Sequence, residues 1–220
     1  MAQTTQTRTN ALPPKVRAYL VIKQAADIVL SALAILLLSW LLLGIAIAIA
    51  IEDGTPVIFR QKRVGKGGKY FSILKFRSMR RDTPKDMPTH MLENPEKCIT
   101  RVGAFLRKTS LDELPQLFNI VAGQMSFVGP RPALYNQEDL LEARQKVGAN
   151  DVRPGLTGWA QINGRDELEI QEKAALDGYY VAHIGAVMDI RCFFGTFLPV
   201  LRHQGVVEGG TGAKNKERKQ

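Results

Sequence analysis

The chain has 220 residues, a net charge of +9 and an apolar fraction of 45%. That size suits one domain, and that composition is ordinary for a globular protein and excludes a polytopic transporter. The basic excess calls for an anionic partner: phosphate, nucleic acid or a lipid surface. Two cysteines, Cys98 and Cys192, make neither a disulfide framework nor a zinc spacing, and His90, His183 and His203 are scattered.

In chain order, residues 1–14 read as a flexible N-terminus and residues 15–51 as a membrane-embedded helix. From Ile28 to Ile51 no residue is charged. About 24 residues give roughly 36 Å of helix, enough to cross a hydrocarbon core of about 30 Å. Lysines and arginines flank the run on both sides, and Gly54–Arg81 contains no acidic residue. The bias of cations toward the cytoplasm puts both flanks on one face, which favours a bent, re-entrant helix over a straight span. Ser39 and Gly44 are the residues available to absorb a break, and Asp27 can pair with Lys23 one turn earlier.

Residues 52–204 then read as one cytoplasmic domain. Thr55–Phe59 and Tyr70–Phe76 read as strands of an antiparallel hairpin, joined by a turn over Val64–Lys69. The glycines of that turn match no nucleotide-binding fingerprint. Alternation along the second strand puts Lys75 and Arg77 on one face, where two cations suit a phosphate or a lipid headgroup. Arg81–Lys97 reads as a surface loop. Amphipathic helices are expected around Ile99–Lys108 and Glu167–Tyr179, where they can lie at the membrane interface.

The chemistry concentrates at Asp112 and Glu113. Ser110-Leu111-Asp112-Glu113 fits a capping box ahead of an apolar run, Leu114–Val121. In that geometry Asp112 sits in a first helical turn, where the dipole and free N–H groups lower its pKa. An ionised carboxylate beside Arg107 and a bound metal can attack phosphorus, and Glu113 can act as a base if the cap leaves it free. Gly123–Pro132 reads as a rigid segment presenting Arg131. Val152–Arg165 reads as a shaped loop rather than a helix, offering Trp159, Gln161, Asn163 and Arg165 for stacking, amide donation and a phosphate fork. The tail, residues 205–220, is basic and expected to be partly disordered.

Taken together, Phe59–Gly65, Lys75–Met79, Leu106–Gln116, Met125–Pro132 and Arg153–Arg165 resemble the bacterial sugar transferase family, the small monotopic phosphoglycosyl transferases. Asp177, Tyr180 and Asp189 also stand where the family has them. The resemblance covers roughly Lys23–Leu201 and implies a mostly helical α+β fold with a small antiparallel hairpin and no large sheet. It also implies an activity at the cytoplasmic face of the bacterial inner membrane. A sugar-1-phosphate passes from a UDP-sugar to undecaprenyl phosphate, UMP leaves, and Mg²⁺ is required. Asp112 is then nucleophile and metal contact, and Glu113 assists the lipid phosphate. Lys75 and Arg107 neutralise phosphates, while Arg131 and Arg165 bind nucleotide or pyrophosphate. Where the family usually has Ser-Pro at its helix break, this chain has Ser39-Trp40, so re-entry must rely on Ser39 bonding a backbone carbonyl. Only the catalytic module is expected, as in the minimal members. Two other classes compete. A membrane-tethered nucleic-acid-binding protein would explain the charge but not the carboxylate pair, and a metal-dependent phosphohydrolase would use the same carboxylates. The sugar and the oligomeric state, a homodimer included, are not legible.

Overall fold

Polar residues on a helix that faces water normally point outward; in the middle of the first helix of this protein Asp27 and Ser31 point inward. The computed structural model describes residues 12–83, 98–164 and 168–202, the last six of these as backbone only. Helix α1 (Pro14–Leu37) starts with a proline in its first turn and buries Asp27 and Ser31, one turn apart. Val21, Ile22, Val29, Leu30, Leu33, Leu36 and Leu37 are exposed. The chain breaks at Leu38 and resumes as α2 (Ser39–Asp53), with Ser39 Oγ donating to the Leu36 carbonyl at 2.9 Å. The expected single helix is therefore two. The hydroxyl supplies the bond that the resemblance required of it. Among the described residues α1 is the one helix long and apolar enough to cross a membrane.

Both helices are tied to the same domain. Lys23 pairs with Asp27 at 3.7 Å, as its spacing predicts, and also with Asp189 at 2.8 Å. Tyr19 donates to Asp189, and Ser126 donates to Asp27. At the far end of α2, Glu52 accepts the Arg101 and Val102 amides at 2.7 and 2.9 Å. It thereby caps the next helix, α3 (Arg101–Thr109), together with Thr100, which accepts from the Gly103 amide.

The hairpin is β1 (Ile58–Val64) paired antiparallel with β2 (Tyr70–Phe76). β1 lies three residues later than expected at its start and runs through the basic stretch. Its alternate residues Phe59, Gln61 and Arg63 face inward opposite Lys75, Ile73 and Phe71. The Val64–Lys69 turn is present, with Gly67 and Gly68 at positive φ. The short helix α4 (Gln116–Val121) docks on the free edge of β2 through one side chain. Asn119 Oδ1 accepts the Leu74 amide at 2.9 Å and its Nδ2 donates to the Ser72 carbonyl at 2.8 Å. A side-chain amide thus replaces a missing strand.

A second strand pair is parallel: β3 (Ser126–Val128) with β4 (Gly155–Thr157). The expected loop Val152–Arg165 therefore contains a strand and a short helix α6 (Trp159–Ile162). Between the strands lies α5 (Glu138–Lys146), and α7 (Ile170–Ala182) and α8 (Ala186–Arg202) close the domain. Helices exist in both expected stretches, as α3 and α7, beginning two and three residues late; α3 is strongly amphipathic and α7 is not. The fold is mostly helical, as anticipated.

Among the described residues the core forms three clusters. Ile45 and Ile49 of α2 pack with Phe76 and Leu106, and Leu111 and Leu114 rest on them. Ile73, Leu117, Ile120 and Met125 pack under Ala34 and Ile35 of α1. Val128, Tyr180, Met188 and Cys192 pack with Trp159 and Ile162. The first cluster sets the floor of the carboxylate turn. Burying four such side chains stabilises by about 1.5–3 kcal/mol each. Arg165, residues 84–97 of the expected loop and residues 203–220 lie outside the described residues, as do His90, His203 and most of the expected N-terminal segment.

Candidate active site

The carboxylate pair sits on a short 3₁₀ turn between α3 and α4 rather than in the first turn of an α-helix. α3 ends at Ser110, which adopts the left-handed conformation (φ 57°, ψ 16°) that glycine usually supplies. For a residue with a Cβ this costs about 1–2 kcal/mol. The chain then makes one 3₁₀ turn, Leu111–Glu113, and Pro115 leads into α4. The capping box does not form. Ser110 makes no side-chain cap, and Glu113 points away from it. The left-handed residue turns its side chain out of reach of the amides that an N-cap serves.

Glu113 is engaged elsewhere. Its Oε1 accepts Lys75 Nζ and an Arg131 guanidinium nitrogen, each at 2.8 Å. Burial pushes the Glu113 carboxyl up, but Arg131 and Lys75 outweigh burial and hold it well below the usual carboxylate range. Glu113 is therefore ionised at neutral pH and is a poor proton acceptor there. Its geometry is that of a strut holding two cations. Lys75 shows the other side of the pairing. Burial lowers its pKa, Glu113 opposes that, and Arg131 adds to the lowering.

Asp112 departs from expectation in the opposite direction. Burial raises its pKa, Lys75 pulls it down, Glu113 pushes it up, and Arg107 and Arg131 pull it down, with a net rise. A single 3₁₀ turn lacks the aligned dipoles that would have lowered it. The turn thus separates the two carboxylates by partner: burial raises both, but two direct ion pairs hold Glu113 down while Asp112 is left more basic. A more basic carboxylate is the better nucleophile toward phosphorus.

The other expected site residues divide. Lys75, Arg107 and Arg131 converge on the pair. Arg77 does not. It lies one residue past β2, is buried, and donates to the Pro56, Asp53 and Gly54 carbonyls while pairing with the Asp53 carboxylate at 3.1 Å. It closes the C-terminal end of α2, and strand alternation misplaced it because the strand stops at Phe76. Gln161 turns back onto its own loop, its Nε2 donating to the Leu156 carbonyl at 2.9 Å. Trp159 stacks on Tyr179, with ring centroids 5.5 Å apart, and Asn163 donates to the Trp159 carbonyl. Sequence reasoning missed Arg144, which is buried and holds both Asp177 and the Arg131 carbonyl. Its signal was its place one turn after Leu140, on the buried face of α5.

Among the described residues no three His, Cys, Asp or Glu side chains gather to hold a metal ion. A protein-made cage is therefore absent there. The single desolvated carboxylate of Asp112 fits Mg²⁺, which binds through one or two carboxylates and completes its shell with substrate phosphates and water. The cations around Asp112 add a condition: an ion held there would need phosphates that offset them.

With this geometry in place, comparison with known proteins is informative. A family model described as bacterial sugar transferase matches residues 18–203. The UDP-glucose:undecaprenyl-phosphate glucose-1-phosphate transferase of Escherichia coli (strain K12) is 42% identical over 182 residues, covering 80% of this chain and 39% of that protein. The exopolysaccharide production protein PSS of Rhizobium leguminosarum bv. phaseoli is 40% identical over 195 residues, covering 83% of this chain and 96% of that protein. The UDP-N-acetylgalactosamine-undecaprenyl-phosphate N-acetylgalactosaminephosphotransferase of Aeromonas hydrophila is 36% identical over 195 residues, covering 86% and 45%. This chain spans about two fifths of the first relative's length, nearly all of the second's and under half of the third's. The match runs through every element that builds the carboxylate site, and the chain belongs to the bacterial sugar transferase family.

Proposed function

We propose that this protein transfers a sugar-1-phosphate from a UDP-sugar to undecaprenyl phosphate, with release of UMP. The observation that carries the reading is the division of labour at residues 112 and 113: one carboxylate saturated by Lys75 and Arg131, the other desolvated and facing the same cations. The relatives' names pair a UDP-sugar or a glucose-1-phosphate with undecaprenyl phosphate, and the phosphohydrolase alternative gains no support from them.

In this reading an Asp112 oxygen bonds to the β-phosphorus of the donor. The bond from that phosphorus to the UMP oxygen breaks, and UMP takes the electron pair. A terminal oxygen of undecaprenyl phosphate then bonds to the same phosphorus, and Asp112 leaves as a carboxylate. No proton has to be removed in the second step, because a phosphate monoester with a second pKa of about 6 is largely dianionic at neutral pH. A cation-saturated Glu113 suits that step. It keeps Lys75 and Arg131 aimed at the equatorial phosphate oxygens, where charge develops. Arg107, in the last turn of α3, adds positive charge near Asp112. Mg²⁺, held by Asp112 and the donor's diphosphate, would further neutralise the transferring group.

The α1–α2 pair supports a re-entrant, one-sided attachment to the cytoplasmic face of the bacterial inner membrane. Its ends bind one domain, through Lys23–Asp189 and Glu52–Arg101, and its outer surface is apolar. An exposed contiguous apolar surface of this extent calls for lipid. It would hold the site at the depth of the acceptor's phosphate.

The test is to mix the protein with donor alone. Intact-mass spectra should show a sugar-phosphate adduct that Asp112→Asn lacks while still folding and inserting. Wild-type turnover by Asp112→Asn, or kinetics that require both substrates bound together with no adduct, would overturn the reading.

A further inference from the structure

Arg131 reaches Glu113 from a segment with few main-chain donors, because Pro130 and Pro132 flank it and have no N–H. The prolines restrict their own φ and push Gly129 and Arg131 toward extended conformations. Local stiffness alone does not place the segment relative to the carboxylate turn. Its carbonyls do. Four in succession each accept a hydrogen bond from a different donor. The Pro130 carbonyl accepts the Gly155 amide of β4 at 2.9 Å, and the Ala133 carbonyl accepts the Val64 amide of β1 at 3.0 Å. Between them, the Arg131 carbonyl accepts Arg144 NH1 at 2.8 Å and the Pro132 carbonyl accepts Arg63 NH1 at 2.9 Å.

The two guanidiniums are themselves held. Arg144 is 3% exposed and Asp177 is 1% exposed. Arg144 Nε and NH2 both meet Asp177 Oδ2, at 2.7 and 2.6 Å. Arg63 NH2 donates to Gln61 Oε1 at 2.6 Å. A buried ion pair is a poor source of stability, since apolar residues of equal volume often serve as well. Burial raises the Asp177 carboxyl's pKa against the pull of Arg144, a sign of that cost. An apolar pair could not deliver what Arg144 delivers, a charge-assisted bond to the main chain of Arg131.

We infer that Arg144, braced by Asp177, and Arg63, braced by Gln61, are positioning residues: they clamp the Arg131 and Pro132 carbonyls and so set where the Arg131 guanidinium meets Glu113 and the donor phosphates. The kinetic part of this inference rests on the transferase reading; the structural part does not.

The experiment is a double-mutant cycle on the full-length protein in lipid nanodiscs. UMP release and backbone hydrogen exchange over residues 129–135 are measured in parallel. Asp177→Asn keeps the side chain's shape and should lower kcat about 10- to 100-fold, the scale of an ångström-level misplacement. In an Arg131→Ala background the same substitution should cost less than about threefold, because the group it positions is gone. Exchange over 129–135 should rise in Asp177→Asn. Arg63→Gln, on the hairpin, should reproduce both effects and replaces Asp177→Asn if that variant does not fold. Equal losses in both backgrounds would mean a general structural role and would overturn the inference. Unchanged exchange at 129–135 would overturn it as well. If the wild-type protein releases no UMP from any UDP-sugar, the transferase reading falls, and the exchange measurement still decides the clamp.

Discussion

Replacing Glu113 by Gln keeps the shape of the strut and removes its charge. In the native site Lys75 and Arg131 share one oxygen, each at 2.8 Å, so the two cations stand close together and repel. Gln still offers Lys75 an amide oxygen but not the negative charge that favours the protonated amine, so the Lys75 pKa falls further. Burial and Arg131 already lower it, so the remaining protonated form is the less stable for losing Glu113. Lys75 must be charged to bind phosphate, and activity is lost as pH rises through its pKa. The basic limb of the pH profile for UMP release should therefore move toward neutrality in Glu113→Gln. Stability reports the same group from the acid side. The folded pKa of Glu113 lies below its unfolded value, so its contribution is complete above about pH 4.3 and is lost as pH falls through the folded value. Chemical unfolding from pH 3 to 7 should show that dependence in the wild type and not in the variant. A basic limb that stays in place, with a wild-type rate, would refute the strut.

Arg77→Met should lower stability by about 3–5 kcal/mol, because it strips one partner from a buried ion pair and frees three carbonyls, and should leave the donor KM unchanged in the folded fraction. Thermal unfolding measures it, and a raised KM with a wild-type melting point would return Arg77 to the substrate. Gly103→Ala should cost about 1–3 kcal/mol or more, since a methyl there overlaps the Ser78 carbonyl; a melting point within one degree of wild type would contradict the packing of α3 on that loop. Single cysteines at Arg17 and Lys69, in a background lacking Cys98 and Cys192, should both react with an impermeant maleimide from the cytoplasmic side only. Labelling from opposite sides would rule out re-entry.

The carboxylate pair, its basic neighbours and the apolar helix were legible because each is a local pattern. Adjacent acids, a run without charge and two prolines around Arg131 carry their meaning within a few residues. The Lys23–Asp27 pair and the Ser39 bond were legible for the same reason, being one turn or less in span. The capping box failed on an equally local cue, because one left-handed residue at Ser110 converts a helix start into a helix end. Arg77 failed because a strand's last residue is decided by what packs beyond it.

By itself, the sequence determined that basic residues stand beside an acidic pair on a chain with a long apolar stretch, since charge and hydropathy are properties of residues. Only the tertiary structure decided which acid is which. Whether a carboxyl is saturated or desolvated depends on groups brought from β2, α3 and the Pro130–Pro132 segment, and the field they make falls off over a few ångströms that no sequence interval measures.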